Sequence, residues 1–435
     1  MNKSHCVAPD GAGIPTIFVE RTDPETGQFT LSAIPRAAFD LKFANRRVLV
    51  PTMREDGEVS VRSVPLAAHW LGSPYRREYP GGVGLFPGTH VPPGVYNLWR
   101  GWPVTPEPGD VSLMLAHIKM MCNGDAAAET YFLHWMAYCV QHPDKRPEVA
   151  VVVRGGRGTG KGTILRLMVR IFGGHAMHIT NGRMLTGDFN GHLRAALFVY
   201  VDEALWAGDK AGEGVLKGLI TEPTIAINGK HKEVFTAVNR LKIAFSSNED
   251  WVVPAGSDER RYFVIDVPDT HQGDTAYFAA LNKWLEAGGD GMWLHYLLNL
   301  DLTGFNPRRV PHTAALDRQK LATMGSFERW LLNSLAGDCS LTGREVWGES
   351  ESKPNCALSV TNYANYCKES GGRWAKPMDS RGIGAALDRI FGCGPARSSR
   401  TAGGFGRCWV LPGLEKARTK AASALGLNNY QWGDA

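Results

Sequence analysis

Four short runs of apolar residues, with helical stripes between and around them, set the plan of this chain. The runs are Val149-Ala150-Val151-Val152-Val153, Leu197-Phe198-Val199-Tyr200-Val201, Leu241 to Ser247, and Tyr262-Phe263-Val264-Ile265. Their apolar positions do not alternate with polar ones, so they fit strands covered on both faces, as in a parallel sheet. After the first run, Ile164, Leu167, Met168, Ile171 and Phe172 recur at the spacing of one helix face. Phe132, Trp135, Met136, Cys139 and Val140 repeat that spacing upstream, and Asp110 reads as the N-cap of a helix carrying Leu115, Ile118 and Cys122. Residues 277–298, with Phe278, Leu281, Trp284 and Leu285, read as helical, and a further helix is expected at about 313–335. Near the end, Ile383, Ala386, Leu387, Ile390 and Phe391 form one apolar face of a helix starting near Ser380, followed by a strand at Cys408-Trp409-Val410-Leu411. The expected class is α/β. The expected segments are a strand-rich region at 1–95 without a recognisable catalytic cluster, a helical pair at 96–147, a core at 148–270, a helical lid at 271–336, a linker at 337–354, a small domain at 355–420 and a tail at 421–435.

Chemistry concentrates where the first run ends. Gly155, Gly158, Thr159, Gly160, Lys161, Gly162 and Thr163 fit the phosphate-binding pattern G-x-x-x-x-G-K between a strand and a helix. Glycines let the backbone curl until its N–H groups face one phosphate chain, and the lysine adds a mobile positive charge. The usual hydroxyl residue after the lysine is replaced by Gly162, and the hydroxyl comes one position later, at Thr163. Nucleotide kinases share this G-K-G-T ending, so the loop alone does not separate a kinase from a motor ATPase. The second run ends in Asp202-Glu203, where an acid can hold Mg²⁺ and the next can orient an attacking water. The third ends in Asn248, a polar group able to sense the γ-phosphate. Arg260 and Arg261 precede the fourth run, in a position for an arginine finger.

This order of motifs resembles the superfamily 3 helicases, AAA+ motors of viruses, phages and plasmids, and within them the helicase portion of primase-helicases related to the poxvirus enzyme. The resemblance covers roughly residues 95–420. It implies an AAA+ P-loop core with a helical collar before it and a lid after it, and ATP with Mg²⁺ as cofactors. Lys161 and the loop amides would hold phosphates, Asp202 and Thr163 the metal, and Glu203 the water. Asn248 would act as sensor, and Arg260 or Arg261 would be a finger working on a neighbouring subunit of a hexamer. Gly229-Lys230-His231-Lys232 matches the segment that in this family forms a pore hairpin gripping DNA, and Asn228-Gly229 is a tight-turn signal in its own right.

Charge extends the picture to the C-terminus. Net charge is only +5, yet residues 356–420 hold 11 Lys and Arg against 4 Asp and Glu. A helix bearing Arg381 and Arg389, then a basic segment with Arg397, Arg400 and Arg407, fits a winged-helix-like reader of duplex DNA. The expected partners are DNA, further copies of the chain and a separate primase. No run of about 18 apolar residues predicts a membrane span. The eight cysteines are scattered without a C-x-x-C pair, which fits buried thiols in a reducing bacterial cytoplasm. Three rival readings are an AAA+ loader that binds DNA without unwinding it, more distantly a nucleotide kinase, and a DNA-binding protein with a decayed ATPase, against which the intact Lys161, Asp202 and Glu203 argue.

Overall fold

The computed structural model describes the chain apart from residues 26–28, 54–57, 89, 204–209, 230–233, 258, 338–359, 371–375, 394–396, 399–406, 410, 428–429, 431 and 433–435. Its centre is a five-stranded parallel sheet. We label its strands β1 (Ala150–Gly155), β2 (Ala176–Ile179), β3 (Phe198–Asp202), β4 (Lys242–Ser247) and β5 (Tyr262–Val267). Their spatial order is β5-β1-β4-β3-β2. The uninterrupted apolar runs are explained by burial on both sides. Val151, Val153, Phe198, Tyr200 and Phe263 face one core. Ala150, Val152, Val199, Val201 and Val264 face another.

The first of these cores also takes in the helical pair and helix Asp290–Asn299. Helices Ser112–Met121 and Ala126–Gln141 precede the sheet. Phe132, Trp135, Met136, Cys139 and Val140 are all buried there, together with Trp293 and Leu297 from helix Asp290–Asn299. The N-terminal region supplies an antiparallel sheet of His5–Pro9, Pro15–Thr22 and Phe29–Ile34. It is not separate in its packing, since Cys6, Ala8 and Phe18 belong to this same core. The helical stretch at 277–298 is interrupted at Ala287 and Gly288, where φ reaches 92°.

One expected helix is two. The chain forms Ala314–Thr323 and Ser326–Ala336, because Gly325 is extended at φ −69°, ψ 169°. The second helix packs against the C-terminal region. Its Phe327, Trp330, Leu331 and Leu335 share a core with Tyr363, Ile383, Leu387, Ile390, Phe391 and Trp409. The helix Ser380–Phe391 buries the predicted face and is capped by the Asp379 side chain, which accepts from the Gly382 N–H. The following ladder pairs Arg397–Ser398 with Arg407–Cys408, so the strand begins one residue before its expected start. Cys6, Cys122, Cys139 and Cys367 are buried free thiols. Among the described residues no helix is long and apolar enough to cross a membrane.

Candidate nucleotide-binding site

The loop from β1 to helix Lys161–Phe172 curls as its glycines require. Gly158 and Gly160 take φ of 75° and 92°, where side-chain residues are disfavoured. A Cβ on Gly160 would lie 2.6 Å from the ring of His117. Above the loop is a cavity of about 200 Å³, lined by Arg157, Gly158, Thr159, Gly160, Lys161, Gly162, Arg166, Asp202, Glu203, Ser246, Ser247 and Asn248. It lies at the carboxyl ends of β1, β3 and β4. The chain crosses from β1 to the β2 edge and returns to β5 on the other side of β1. Ligands of open α/β sheets bind at such a reversal.

Lys161 reaches across this cavity. Its Nζ donates to Asn248 Oδ1 and to the Gly156 carbonyl, both at 2.6 Å. Burial holds its pKa below the usual value against the pull of Asp202, Glu203 and Asp269. Both acceptors are neutral, so a phosphate oxygen would outcompete them for the ammonium. At the end of β3, Asp202 accepts from the Ser246 hydroxyl and lies 3.4 Å from His178 Nε2. Partial burial pushes its pKa up, but hydrogen bonds from Ser246, Tyr200 and His178 more than offset this and hold it below the usual range. The Tyr200 hydroxyl lies 2.9 Å from Ser246 Oγ, and its ring stacks on His178 at 4.7 Å. Glu203 is exposed and sits at φ 56°, a strained conformation for a residue with a side chain.

The donor set suits magnesium: an ionised carboxylate and hydroxyls facing a lysine. Among the described residues no cluster of three His, Cys, Asp or Glu could hold a metal alone. A magnesium ion would therefore share Asp202 with water and phosphate oxygens. Thr163 is half-buried in the first helical turn and is not among the residues lining the cavity.

The sequence pointed to Lys161, Asp202, Glu203 and Asn248, and the fold brings them together. It gave no sign of His178, Tyr200, Ser246 or Arg166, which meet the others only across strands or helical turns, while Arg157 lines the cavity from the loop itself. Arg260 and Arg261 lie at the opposite end of the sheet, where the Arg261 carbonyl accepts from the Ala150 N–H. Buried Glu259 accepts from both backbone N–H groups and pairs with the Arg261 guanidinium at 3.3 Å. Arg260 is exposed.

The hairpin of Thr224–Ile227 and Phe235–Val238 is present, but not with a two-residue turn. Ile227 pairs with Phe235, so the connection runs over 228–234. Asn228 is occupied in fixing the hairpin base: its N–H donates to Asn190 Oδ1 at 2.7 Å, and its Nδ2 donates to the Asp188 carbonyl at 2.9 Å. Lys230, His231 and Lys232 lie outside the described residues. In the C-terminal domain Arg381 is exposed and Arg389 pairs with Glu328 at 2.9 Å. Arg397 and Arg407 sit on the short ladder, and Arg400 lies outside the described residues.

A larger cavity, about 370 Å³, lies between the N-terminal sheet and β2 and includes Phe18, Phe29, His175 and Arg194. His175 Nδ1 is 2.9 Å from the Ala195 carbonyl and Arg194 donates to the Val83 carbonyl at 3.1 Å. With these groups already partnered, it offers no comparable chemistry.

Residues 153–261 match a family of unknown function, DUF5906. The DNA primase-polymerase of Nitratiruptor phage NrS-1 is 31% identical over 145 residues, which span 33% of this chain and 20% of that protein. An apo structure of the NrS-1 C-terminal region (305–718) overlays with TM-score 0.61 at 16% identity, covering 91% of this chain and 96% of that one. A second apo structure of the same region gives 0.62, covering 94% and 97%. The chain is thus related to the NrS-1 phage primase-polymerase and has the fold of that protein's C-terminal region.

Proposed function

We propose that this chain is an ATP-dependent DNA helicase of superfamily 3 type, assembled as a hexamer, serving replication of a phage, prophage or plasmid-like element in the bacterial cytoplasm. The carrying observation is the 2.6 Å contact of Lys161 with Asn248 in the cavity that Asp202 and Glu203 also line. A lysine that binds phosphate, an acid that holds metal, an acid that orients water and an amide that senses the γ-phosphate are the parts of a hydrolytic motor. A nucleotide kinase must exclude water and has no use for Glu203. Asp202 would help hold magnesium, which when bound would supply neutralisation of phosphate charge. Lys161, drawn to the phosphates, would release the Asn248 amide for the γ-phosphate or the water. Glu203 would then accept a hydrogen bond from that water and align it. Lys230 and His231 would grip a single strand, and the basic C-terminal domain would hold duplex.

The test is unwinding of forked DNA with parallel ATP turnover. Glu203→Gln should keep ATP binding and lose hydrolysis by roughly 100-fold or more, because an amide cannot serve the carboxylate's role toward water. Lys230→Ala with His231→Ala should keep basal hydrolysis and lose both strand stimulation and unwinding. ATP turnover stimulated by DNA without strand separation in the parent protein would identify a loader instead.

A further inference from the structure

Arg166 lines the cavity from the helix that follows the loop, and no phosphate-loop motif calls for it. It stands one helical turn beyond Gly162, and long side chains on helices lean back toward the N-terminus. Its guanidinium consequently lies over Gly162, so near that a Cβ there would meet Arg166 Nη1 at 2.5 Å. The position that normally carries a hydroxyl is thus bare, and an arginine lies over it. Among the described residues Arg166 makes no hydrogen bond or ion pair, although it lines the cavity beside Lys161 and Asp202. A cation near the positive end of a helix is unfavourable unless an anion joins it. Within reach, the cavity at the helix N-terminus is built to receive that anion.

We propose that Arg166 is a phosphate-binding residue acting within its own subunit, and that Gly162 is the concession that lets it in. The guanidinium would donate to non-bridging oxygens of the nucleoside triphosphate, partly replacing the metal-ligand hydroxyl that the loop lacks. The proposal rests on the nucleotide-binding reading and makes it more specific: triphosphate would be held with less dependence on divalent metal than where that hydroxyl is present. It also makes residues 162 and 166 exchange partners. Serine at 162 would push the flexible arginine aside and supply the missing hydroxyl.

The experiment is equilibrium binding of a fluorescent ATP analogue to the full chain, with EDTA and with Mg²⁺, alongside thermal midpoints. Arg166→Ala should weaken binding in EDTA at least tenfold with an unchanged midpoint, since the residue is exposed. Gly162→Ser in the Arg166→Ala background should recover binding in Mg²⁺ but not in EDTA. Parent-like binding by Arg166→Ala in EDTA would overturn the proposal, as would recovery by Gly162→Ser in both media. So would a lowered midpoint in Arg166→Ala that accounts for the loss. If the parent chain itself fails to bind the analogue while folded, the nucleotide reading falls first, and that result is separate from any of these.

Discussion

Lys242 lies at the start of β4, wholly buried, with its Nζ donating to the carbonyls of Pro143, Lys145 and Arg240 at 2.7 to 2.9 Å. Three carbonyls suit three ammonium protons and tie the end of the helical pair to the sheet. Burial nevertheless lowers the pKa from 10.5 to about 7. Between those values the unfolded chain binds more protons than the folded one, so this group's contribution to stability rises with pH across that window and is level below it. Thermal midpoints at pH 7 and pH 9 should show this rise in the parent protein relative to Lys242→Met. Methionine should be less stable at both pH values because it leaves three acceptors unmet. Equal pH slopes in the two proteins would show that Lys242 does not titrate there. Nothing in the sequence marks this lysine, which reads as one more polar residue at a strand end. Lys161, Asp202, Glu203 and Asn248 were legible because their chemistry depends on position relative to a strand end. The network of Ser246, Tyr200 and His178 was not, because it forms only when β2, β3 and β4 lie side by side.

Between elements, His117 joins helix Ser112–Met121 to the glycine-rich loop after β1. It is fully buried, with Nε2 3.3 Å from the Gly160 carbonyl and Nδ1 2.9 Å from the Tyr277 hydroxyl. Burial lowers its pKa to about 4, so the ring is neutral at pH 7. A carbonyl only accepts, so Nε2 carries the proton and Nδ1 accepts from Tyr277. In a trans peptide the C=O and the following N–H point opposite ways. Holding the Gly160 carbonyl outward therefore turns the Lys161 N–H toward the cavity. Gln272 does the same for Gly158 by donating to the Arg157 carbonyl at 2.9 Å. His117→Phe should raise KM for ATP roughly fivefold, the worth of one neutral hydrogen bond, with kcat little changed, and His117→Gln should restore part of it. A purely packing role predicts that Phe, not Gln, behaves like the parent. The sequence showed this helix through Leu115, Ile118 and Cys122 but concealed its buried histidine, since one polar residue does not disturb an apolar period. Local signals misled at two places: Asn228 is taken up by bonds to Asn190 and Asp188 at the hairpin base instead of a tight turn, and extended backbone at Met324 and Gly325 divides what their flanks read as one helix.

At the scale of the whole molecule, the sheet separates the two halves of the proposed catalytic unit. Strand β1 runs from Ala150, beside Arg261, to Gly155 at the loop, a distance of about 17 Å at some 3.3 Å per residue. No arginine at the start of β5 reaches its own phosphate cavity, so a finger there must serve a neighbour. The sequence left two candidates, and their surroundings differ. Arg261 is tied to Glu259, whereas Arg260 is exposed and, among the described residues, only its backbone is held. We therefore expect Arg260→Ala to abolish turnover, and Arg261→Ala chiefly to lower the thermal midpoint, because it leaves the buried Glu259 carboxylate without its ion-pair partner. Arg260→Ala and Lys161→Ala subunits should each be inactive alone. Mixed before assembly in equal amounts, they should regain about a quarter of parent turnover if interfaces act independently, since one interface in four pairs an intact Lys161 with a neighbour's intact Arg260. Native mass on the mixture shows whether mixed rings formed. Mixed rings without recovered turnover would rule out Arg260 as the residue acting across the interface, and full turnover by a monomer would remove the need for an interface at all.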